Sequence, residues 1–262
     1  MSGRIEQKFA SLAAAKRKAL ITFIMGGDPT PEASSAILAG LPGAGADIIE
    51  VGMPFSDPMA DGPTIEAAGL RALAAGMTLK KVLAQVETFR KQDTTTPIIL
   101  MGYYNPVYAY GVERFCQDAQ KAGADGVILV DLPPEEENEF IDTANQHGIR
   151  LIRLIAPTTD DNRLAAIGQN AGGFLYYISV TGITGGKSAD MESLKTRVHH
   201  LKSKTTLPVA VGFGIKTPQQ AAQVAAFSDA VVVGSVLVDY IAKGNPAEAL
   251  GFVSSLKKAM EP

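Results

Sequence analysis

Short apolar runs alternate with helix-like segments eight times along the chain, and this alternation limits the fold more than any other feature. Runs that are apolar throughout are typical of strands buried on both faces, as in parallel sheets covered by helices. Eight such units predict an α/β fold, a (β/α)8 TIM barrel, with an extra amphipathic N-terminal helix at 3–17. The predicted strands are 20–25, 47–51, 97–101, 126–130, 150–155, 173–179, 208–211 and 229–233.

Helical patterns and helix stops fill the stretches between these runs. An open, doubly wound sheet is the rival fold, but it usually has Gly-x-Gly-x-x-Gly after its first strand, where this chain has Gly26-Gly27-Asp28-Pro29. No linker or change of composition divides the chain, so we expect 1–262 to form a single domain. The predicted helices are 28–41, 64–75, 79–92, 111–121, 135–147, 160–169, 190–203, 218–226 and 246–259.

Charge and cysteine content exclude several classes of function. The net charge is −3 and the basic residues are scattered, which argues against binding nucleic acid or an anionic membrane. No apolar run approaches the length needed to cross a bilayer. The one cysteine, Cys116, cannot form an intrachain disulfide and is interpreted as a small buried hydrophobe. A cytoplasmic enzyme is therefore expected.

Two carboxylates flank the loop after the second strand. The active sites of barrels lie at the carboxyl ends of the strands, which is where Glu50 falls and where an acid or base is expected. Glu50 could instead be a structural carboxylate paired with Arg150 or Arg153, the basic residues inside predicted strands. Asp61 could instead lie beside the cap of the helix that starts near residue 63. Asp57 is interpreted as a turn former.

Glycines follow the last strands in the pattern of a phosphate site. Gly214 comes after strand seven, and Gly234 and Ser235 come after strand eight. In barrels, the loops after these two strands often bind phosphate through backbone N–H groups. Thr184 and Gly185, in the long loop after strand six, could add a donor or a lid. Taken singly, each glycine cluster is equally typical of a tight turn.

No metal site is expected. The three histidines lie in predicted helices away from the strand ends, and His199 and His200 are adjacent, so they do not face one site. No phosphate-binding P-loop motif and no strand-borne lysine suited to Schiff-base chemistry are present. The residues therefore predict a cofactor-free lyase or isomerase that uses two carboxylates on a phosphorylated small molecule.

Several segments then resemble one known family. Residues 54–64 read PFSDPMADGPT, which is similar to the signature loop of the tryptophan synthase alpha chain. Further matching segments extend the resemblance along the chain: Gly-Asp-Pro at 27–29, MGYYNP at 101–106, DLP at 131–133, TGITG at 181–185 and GFGI at 212–215. The resemblance implies retro-aldol cleavage of indole-3-glycerol phosphate to indole and glyceraldehyde 3-phosphate, a lyase reaction in the last steps of L-tryptophan biosynthesis.

The same resemblance implies roles for individual residues. Glu50 is the implied acid and base, and Asp61 is implied to bind the indole N–H, with Thr184 contacting Asp61 when the loop after strand six closes. The residues implied to bind substrate are Phe23, Tyr176, Thr184, Gly185, Phe213, Gly214, Gly234 and Ser235.

A partner is also implied. The family pairs with a beta chain in an expected alpha2beta2 heterotetramer, and Asp57 and Asp131 are implied to face that partner. The alpha chain needs no cofactor of its own, while the beta chain carries pyridoxal phosphate. Two alternatives stay open at this point: a free-standing indole-releasing lyase, and a non-catalytic barrel that only activates a partner.

Overall fold

The sheet is a ring of parallel strands, as the alternation predicts. The computed structural model describes residues 3–178, 188–212 and 214–261. The strand segments are β1 (Ala19–Met25), β2 (Ile48–Gly52), β3 (Ile98–Gly102), β4 (Gly126–Leu129), β5 (Arg150–Leu151), β6 (Arg153–Ile155), β7 (Leu175–Ile178), β8 (Val209–Gly212) and β9 (Ala230–Val233). Their order in the sheet is β5-β4-β3-β2-β1-β9-β8-β7-β6, and neighbouring segments are parallel. The predicted TIM barrel is confirmed.

The ring closes inside the predicted strand 150–155. β5 and β6 lie on either side of Ile152, and β5 pairs with β4 while β6 pairs with β7. The first half of this strand therefore pairs with the strand on one side, and its second half pairs with the strand on the other side. For this reason nine segments make up the eight strands of the barrel.

Helices cover the outside of the ring and follow the strands in turn. They are α1 (Arg4–Ala14), α2 (Pro31–Ala44), α3 (Pro63–Ala74), α4 (Leu79–Arg90), α5 (Tyr104–Tyr110), α6 (Val112–Ala122), α7 (Asn138–Gln146), α8 (Asp161–Gly168), α9 (Ser188–Lys204), α10 (Pro218–Ala225), α11 (Ser235–Ala242) and α12 (Pro246–Ala259), with a 3-10 turn at Pro134–Glu136. Of the helices described here, none is long and apolar enough to cross a membrane.

Two of these helices differ from the prediction. No helix is predicted over the segment of α5, which contains Asn105-Pro106, but Pro106 falls in the first turn, where its missing N–H costs no helical hydrogen bond. α11 follows β9 with only Gly234 between them, so the sequence contains no loop that separates this helix from the strand. The predicted helix end near residue 41 is also early, because α2 continues to Ala44 and ends at Gly45, which has a φ of 108°.

The N-terminal helix closes the amino end of the barrel. Ile5 and Leu12 of α1 are buried in the cluster of side chains that fills the barrel interior. The ring of Phe9 lies 5.8 Å from that of Phe174, centroid to centroid. The carboxyl end of the ring, at the opposite side, is the end at which a ligand site can open.

The same pair of hydrogen bonds recurs at three aspartates at the amino end of the barrel. They start or precede a strand, and each exchanges two hydrogen bonds with the backbone of one residue in the adjacent strand. The aspartate N–H donates to that residue's carbonyl, and the residue's N–H donates to the carboxylate. The pairs are Asp47 with Leu20, Asp125 with Ile98 and Asp229 with Val209.

Candidate active site

A cavity of about 260 Å³ opens at the carboxyl ends of the strands. Seven of the predicted site residues line it: Phe23, Glu50, Asp61, Tyr176, Gly214, Gly234 and Ser235. Asp57 and Asp131 are not among its lining residues. Thr184, Gly185 and Phe213 lie outside the described residues, so their predicted roles stay predictions.

Glu50 is buried at the bottom of this cavity without a polar partner. It lies on β2, opposite Phe23 of β1, and only 1% of its surface is exposed. Neither carboxylate oxygen has a hydrogen-bond partner among the described residues. Burial disfavours the charged form and raises the pKa of Glu50 to about 8. Glu50 therefore holds its proton at neutral pH in the free chain.

The structural alternative for Glu50 is wrong, because both candidate arginines are paired elsewhere. Arg150 donates to Glu6 of the N-terminal helix at 2.9 Å. Arg153 forms a buried ion pair with Glu137 and donates to the carbonyl of Leu132 at 2.7 Å. No strand arginine is therefore left to neutralise Glu50.

Tyr176 fills the interior beside Glu50. Its pKa lies well above the ordinary tyrosine value, first because of burial and second because of the nearby Glu50, so the phenol stays neutral. The ring passes close to the backbone of Gly212 on the neighbouring strand β8. A Cβ atom at position 212 would lie 2.6 Å from the Tyr176 hydroxyl oxygen, which explains why glycine occupies this strand end.

Asp61 is held by a tyrosine that the sequence analysis did not single out. The Tyr103 hydroxyl accepts the Ala60 N–H and donates to Asp61 Oδ1, both at 3.0 Å. Burial raises the pKa of Asp61, the Tyr103 hydrogen bond lowers it, and the charge of Glu66 raises it. Tyr103 lies in the MGYYNP segment, whose resemblance to the family is the one sequence signal that points to it.

Asp61 does lie beside the cap of α3, as the alternative for this residue expected, but its side chain takes no part in that cap. The residue that caps α3 is Gly62, and no side chain accepts a hydrogen bond at that cap. The Asp61 carboxylate is turned to Tyr103 instead and lines the cavity.

An ion pair fixes α3, which follows Asp61, against the loop after β1. Asp28 is 2% exposed and accepts two hydrogen bonds from the Arg71 guanidinium, at 2.6 and 3.0 Å. This bidentate pair raises the pKa of Arg71, so the arginine stays charged. The Gly-Asp-Pro segment after strand one thus positions a helix and does not itself line the cavity.

The start of α11 and Gly214 both contribute to the lining of the cavity. Gly234 is the N-cap of α11, and Ser235 is its first residue. No side chain accepts a hydrogen bond at this cap, so the first-turn N–H groups are left for a ligand. Gly214 has a φ of 59°, which favours glycine and allows the backbone to approach the cavity.

Two of the three histidines take part in surface pairs outside the cavity. His147 contacts Glu113 and Gln120, and His200 contacts Asp161. Within the part of the chain that the structure describes, no group of three or more His, Cys, Asp and Glu side chains could hold a metal ion.

The sequence model of the tryptophan synthase alpha chain family matches residues 9–261. The chain belongs to this family. Solved structures agree. The tryptophan synthase alpha subunit of Legionella pneumophila str. Paris is 44% identical, with a TM-score of 0.92 and 99% of each chain covered. A chain from Aquifex aeolicus VF5 is 36% identical over the whole of both chains, with a TM-score of 0.93. The Mycobacterium tuberculosis tryptophan synthase in its aminoacrylate-bound form is 34% identical, with a TM-score of 0.90 and 99% of this chain and 100% of that chain covered.

As an alpha chain, the protein is a carbon–carbon lyase. It cleaves indole-3-glycerol phosphate to indole and glyceraldehyde 3-phosphate, the alpha reaction of tryptophan synthase. It pairs with a beta chain, to which pyridoxal phosphate belongs, and an alpha2beta2 heterotetramer is consistent with this family. Neither the free-standing lyase nor the non-catalytic barrel is favoured.

The two residues expected to face the partner lie on the outside of this alpha chain. Asp57 is exposed and accepts the Ser56 hydroxyl at 2.5 Å. Asp131 is exposed and accepts the Tyr104 N–H at 2.7 Å, so it fixes the start of α5. The turn of this loop lies at 59–60, so the interpretation of Asp57 as a turn former stays a prediction.

Proposed function

We propose that Glu50 is both the acid and the base of the alpha reaction. The observation that supports this most is its burial without a polar partner at the cavity floor. A carboxyl group with a pKa of about 8 starts the reaction protonated at neutral pH, which is the state that an acid needs.

One carboxyl group is enough to balance the two proton transfers of the reaction. Glu50 donates its proton to C3 of the indole ring. The resulting carboxylate then takes the proton from the glycerol hydroxyl next to the breaking bond, and the bond between C3 and that carbon breaks. The bonding electrons return to the indole ring, glyceraldehyde 3-phosphate leaves, and Glu50 is protonated again.

In this proposal Asp61 binds the indole N–H and stabilises the positive charge that develops when C3 is protonated. A carboxylate in a partly dehydrated site acts strongly on such a charge. The hydrogen bond from Tyr103 supports this role, because it fixes the orientation of Asp61 and favours its ionised form. The predicted contact of Thr184 with Asp61 remains part of the proposal.

The rest of the cavity accounts for the other parts of the substrate. Phe23 and Tyr176 provide apolar ring surface beside Glu50 for the indole, and the proposal places Phe213 with them. Gly214, Gly234 and Ser235 offer backbone N–H groups to the phosphate, with Gly185 as a further donor. The phosphate then lies at the cavity rim and the reacting carbon lies near the floor.

The partner-facing surface is proposed around Asp57 and Asp131. The loop that contains Asp57 is bonded to Tyr103, and Asp131 is bonded to the backbone of the next residue, Tyr104. The side chain of Met59 in the same loop is 84% exposed. A beta chain that contacts both segments would therefore act on the residues that orient Asp61.

Two further expectations are proposals of the same kind. We place the chain in the cytoplasm, supported by its single, buried cysteine. We also propose that 1–262 is one domain, supported by one sheet whose strands run from Ala19 to Val233. Cell fractionation tests the first, and a single cooperative unfolding transition tests the second.

The catalytic proposal is tested with Glu50→Gln, using Glu66→Gln as the matched control because Glu66 also lines the cavity. We expect Glu50→Gln to lower the rate of indole release from indole-3-glycerol phosphate by about 10²–10⁴-fold. Binding of glycerol 3-phosphate should change little in the same variant. Near-normal turnover in Glu50→Gln would exclude Glu50 as the acid and base.

A further inference from the structure

The charged side chains that line the cavity leave a phosphate with little electrostatic support. Three acids, Glu50, Asp61 and Glu66, line it, and Lys216 is the only basic residue among the described residues that do. A phosphate monoester carries close to two negative charges at neutral pH. Backbone N–H groups bind it, but they bring no net charge to offset the nearby carboxylates.

Lys216 is placed for this task by the start of α10. Its own N–H and that of Thr217 donate to Gln220 Oε1, at 2.8 and 3.2 Å. Ile215, the residue before it, is 2% exposed and anchors the segment. The N–H of Lys216 is thus already engaged, while the residue is exposed and lines the cavity two residues after Gly214.

The ammonium group of Lys216 is also available. Other lysines of the chain form ion pairs, such as Lys202 with Asp229 and Lys257 with Asp47, both at 2.6 Å. Within residues 3–178, 188–212 and 214–261, Lys216 forms none. Lys216 is a cation without an ion pair among the described residues, and it shares the cavity lining with the acidic residues Asp61 and Glu66 and with the backbone of Gly214, Gly234 and Ser235. Such a group matches the needs of an anion at that rim.

We propose that Lys216 binds the phosphate of indole-3-glycerol phosphate through its side chain and offsets the acidic charge of the cavity. The inference rests on the proposed phosphate position at Gly214, Gly234 and Ser235, and adds a charged group to those backbone donors. Lys216 is then a binding residue and not an acid or base, so it affects substrate affinity and leaves the chemical step alone.

The test compares ligands with and without phosphate in three variants. Lys216→Gln removes the charge, Lys216→Arg keeps it, and Lys258→Gln is the matched control. Lys258 is exposed, and its neighbour Lys257 pairs with Asp47 at the amino end of the barrel, away from the cavity. The ligands are glycerol 3-phosphate and indole, measured by calorimetry, together with KM and kcat for indole-3-glycerol phosphate.

We expect Lys216→Gln to raise KM and the Kd of glycerol 3-phosphate about tenfold, with kcat within about twofold of the parent. Indole binding should not change, and Lys216→Arg should restore most of the affinity. The effect should shrink in high salt and below about pH 6, where phosphate loses its second charge.

Two results would overturn the inference: unchanged affinity for glycerol 3-phosphate in Lys216→Gln, or an equal loss of indole binding, which would indicate a general disturbance of the cavity. A failure of the phosphate site itself would look different. In that case glycerol 3-phosphate would not compete with indole-3-glycerol phosphate in the parent chain.

Discussion

At the scale of single residues, the environment of Glu50 makes one carboxyl group suitable for two proton transfers. The apolar barrel interior removes the water that would stabilise the carboxylate, and no described side chain replaces it. This arrangement costs stability whenever Glu50 is ionised. The same cost keeps Glu50 protonated at neutral pH.

The cost can be measured through the dependence of stability on pH. The pKa of Glu50 is about 8 in the folded chain and 4.5 as its ordinary value, so the unfolded chain releases the proton first as the pH rises. The stabilisation present below pH 4.5 is therefore lost as the pH rises through 8. Glu50→Gln, which cannot ionise, should be more stable than the parent at pH 9, by up to about 5 kcal/mol. Urea unfolding at pH 4.5 and pH 9 measures this, and an equal difference at both values would refute it.

Tyr103 permits a second test at this scale. Tyr103→Phe removes the hydroxyl that orients Asp61, so we expect kcat/KM to fall about tenfold. The hydrogen bond lowers the pKa of Asp61, so its loss should move the acid limb of the rate profile to higher pH. Tyr110→Phe is the control, because it also removes a hydrogen bond to an aspartate, Asp118, outside the cavity. If Tyr103→Phe behaved like this control, Tyr103 would not position Asp61.

At the scale of elements, glycines at the carboxyl ends of the strands make the space that the cavity needs. A Cβ atom at Gly52 would lie 2.7 Å from the ring of Phe23, just as one at Gly212 would meet Tyr176. Because these strand ends carry no side chain, the large side chains of neighbouring strands can pack over their backbone. The aromatic surface beside Glu50 depends on this exchange of small and large residues between adjacent strands.

Gly212→Ala tests this exchange. The added methyl would force the Tyr176 ring to move, and displacement of a group beside Glu50 should lower kcat/KM by about tenfold or more. Gly43→Ala is the matched control: it lies inside α2 with no atom within 4 Å of the added Cβ, so it should leave activity unchanged and stabilise slightly. Full activity in Gly212→Ala would show that the ring has room to move.

At the scale of the whole molecule, the two ends of the barrel have separate tasks. The amino end is closed by the N-terminal helix and by charge pairs such as Arg4 and Arg90 with Asp125, both at 2.7 Å. The carboxyl end leaves Glu50 unpaired and holds the open cavity. Stability supplied at one end allows an uncompensated carboxyl group at the other.

Asp125→Ala measures what the amino end contributes. It leaves Arg90, whose side chain is 9% exposed, without its carboxylate partner, and should lower the free energy of unfolding by about 3–5 kcal/mol. Glu192→Ala breaks the exposed pair with Lys195 and should cost less than about 1 kcal/mol. Denaturant unfolding of both variants gives the comparison, and similar losses would contradict the assignment. Turnover of the folded fraction of Asp125→Ala should be close to that of the parent.

Several elements could be predicted because their determinants are local. Apolar runs bounded by glycine and aspartate define the strands, and a carboxylate at the end of such a run, Glu50, is already placed at the open end by the rule for barrels. Other elements could not. α5 resembles a loop in sequence, and α11 has no loop before it, so both depend on packing against neighbours.

The sequence by itself determined the order of the strands and of all helices but α5 and α11, the barrel, and the candidate pair Glu50 and Asp61 beside a glycine-rich rim. Only the tertiary structure decided that Arg150 and Arg153 are engaged elsewhere, that Tyr103 orients Asp61, and that the ring closes at Ile152. The physical reason is distance along the chain. Helix and strand patterns depend on neighbouring residues, whereas the charge state of Glu50 depends on which partners the rest of the fold brings to it or withholds.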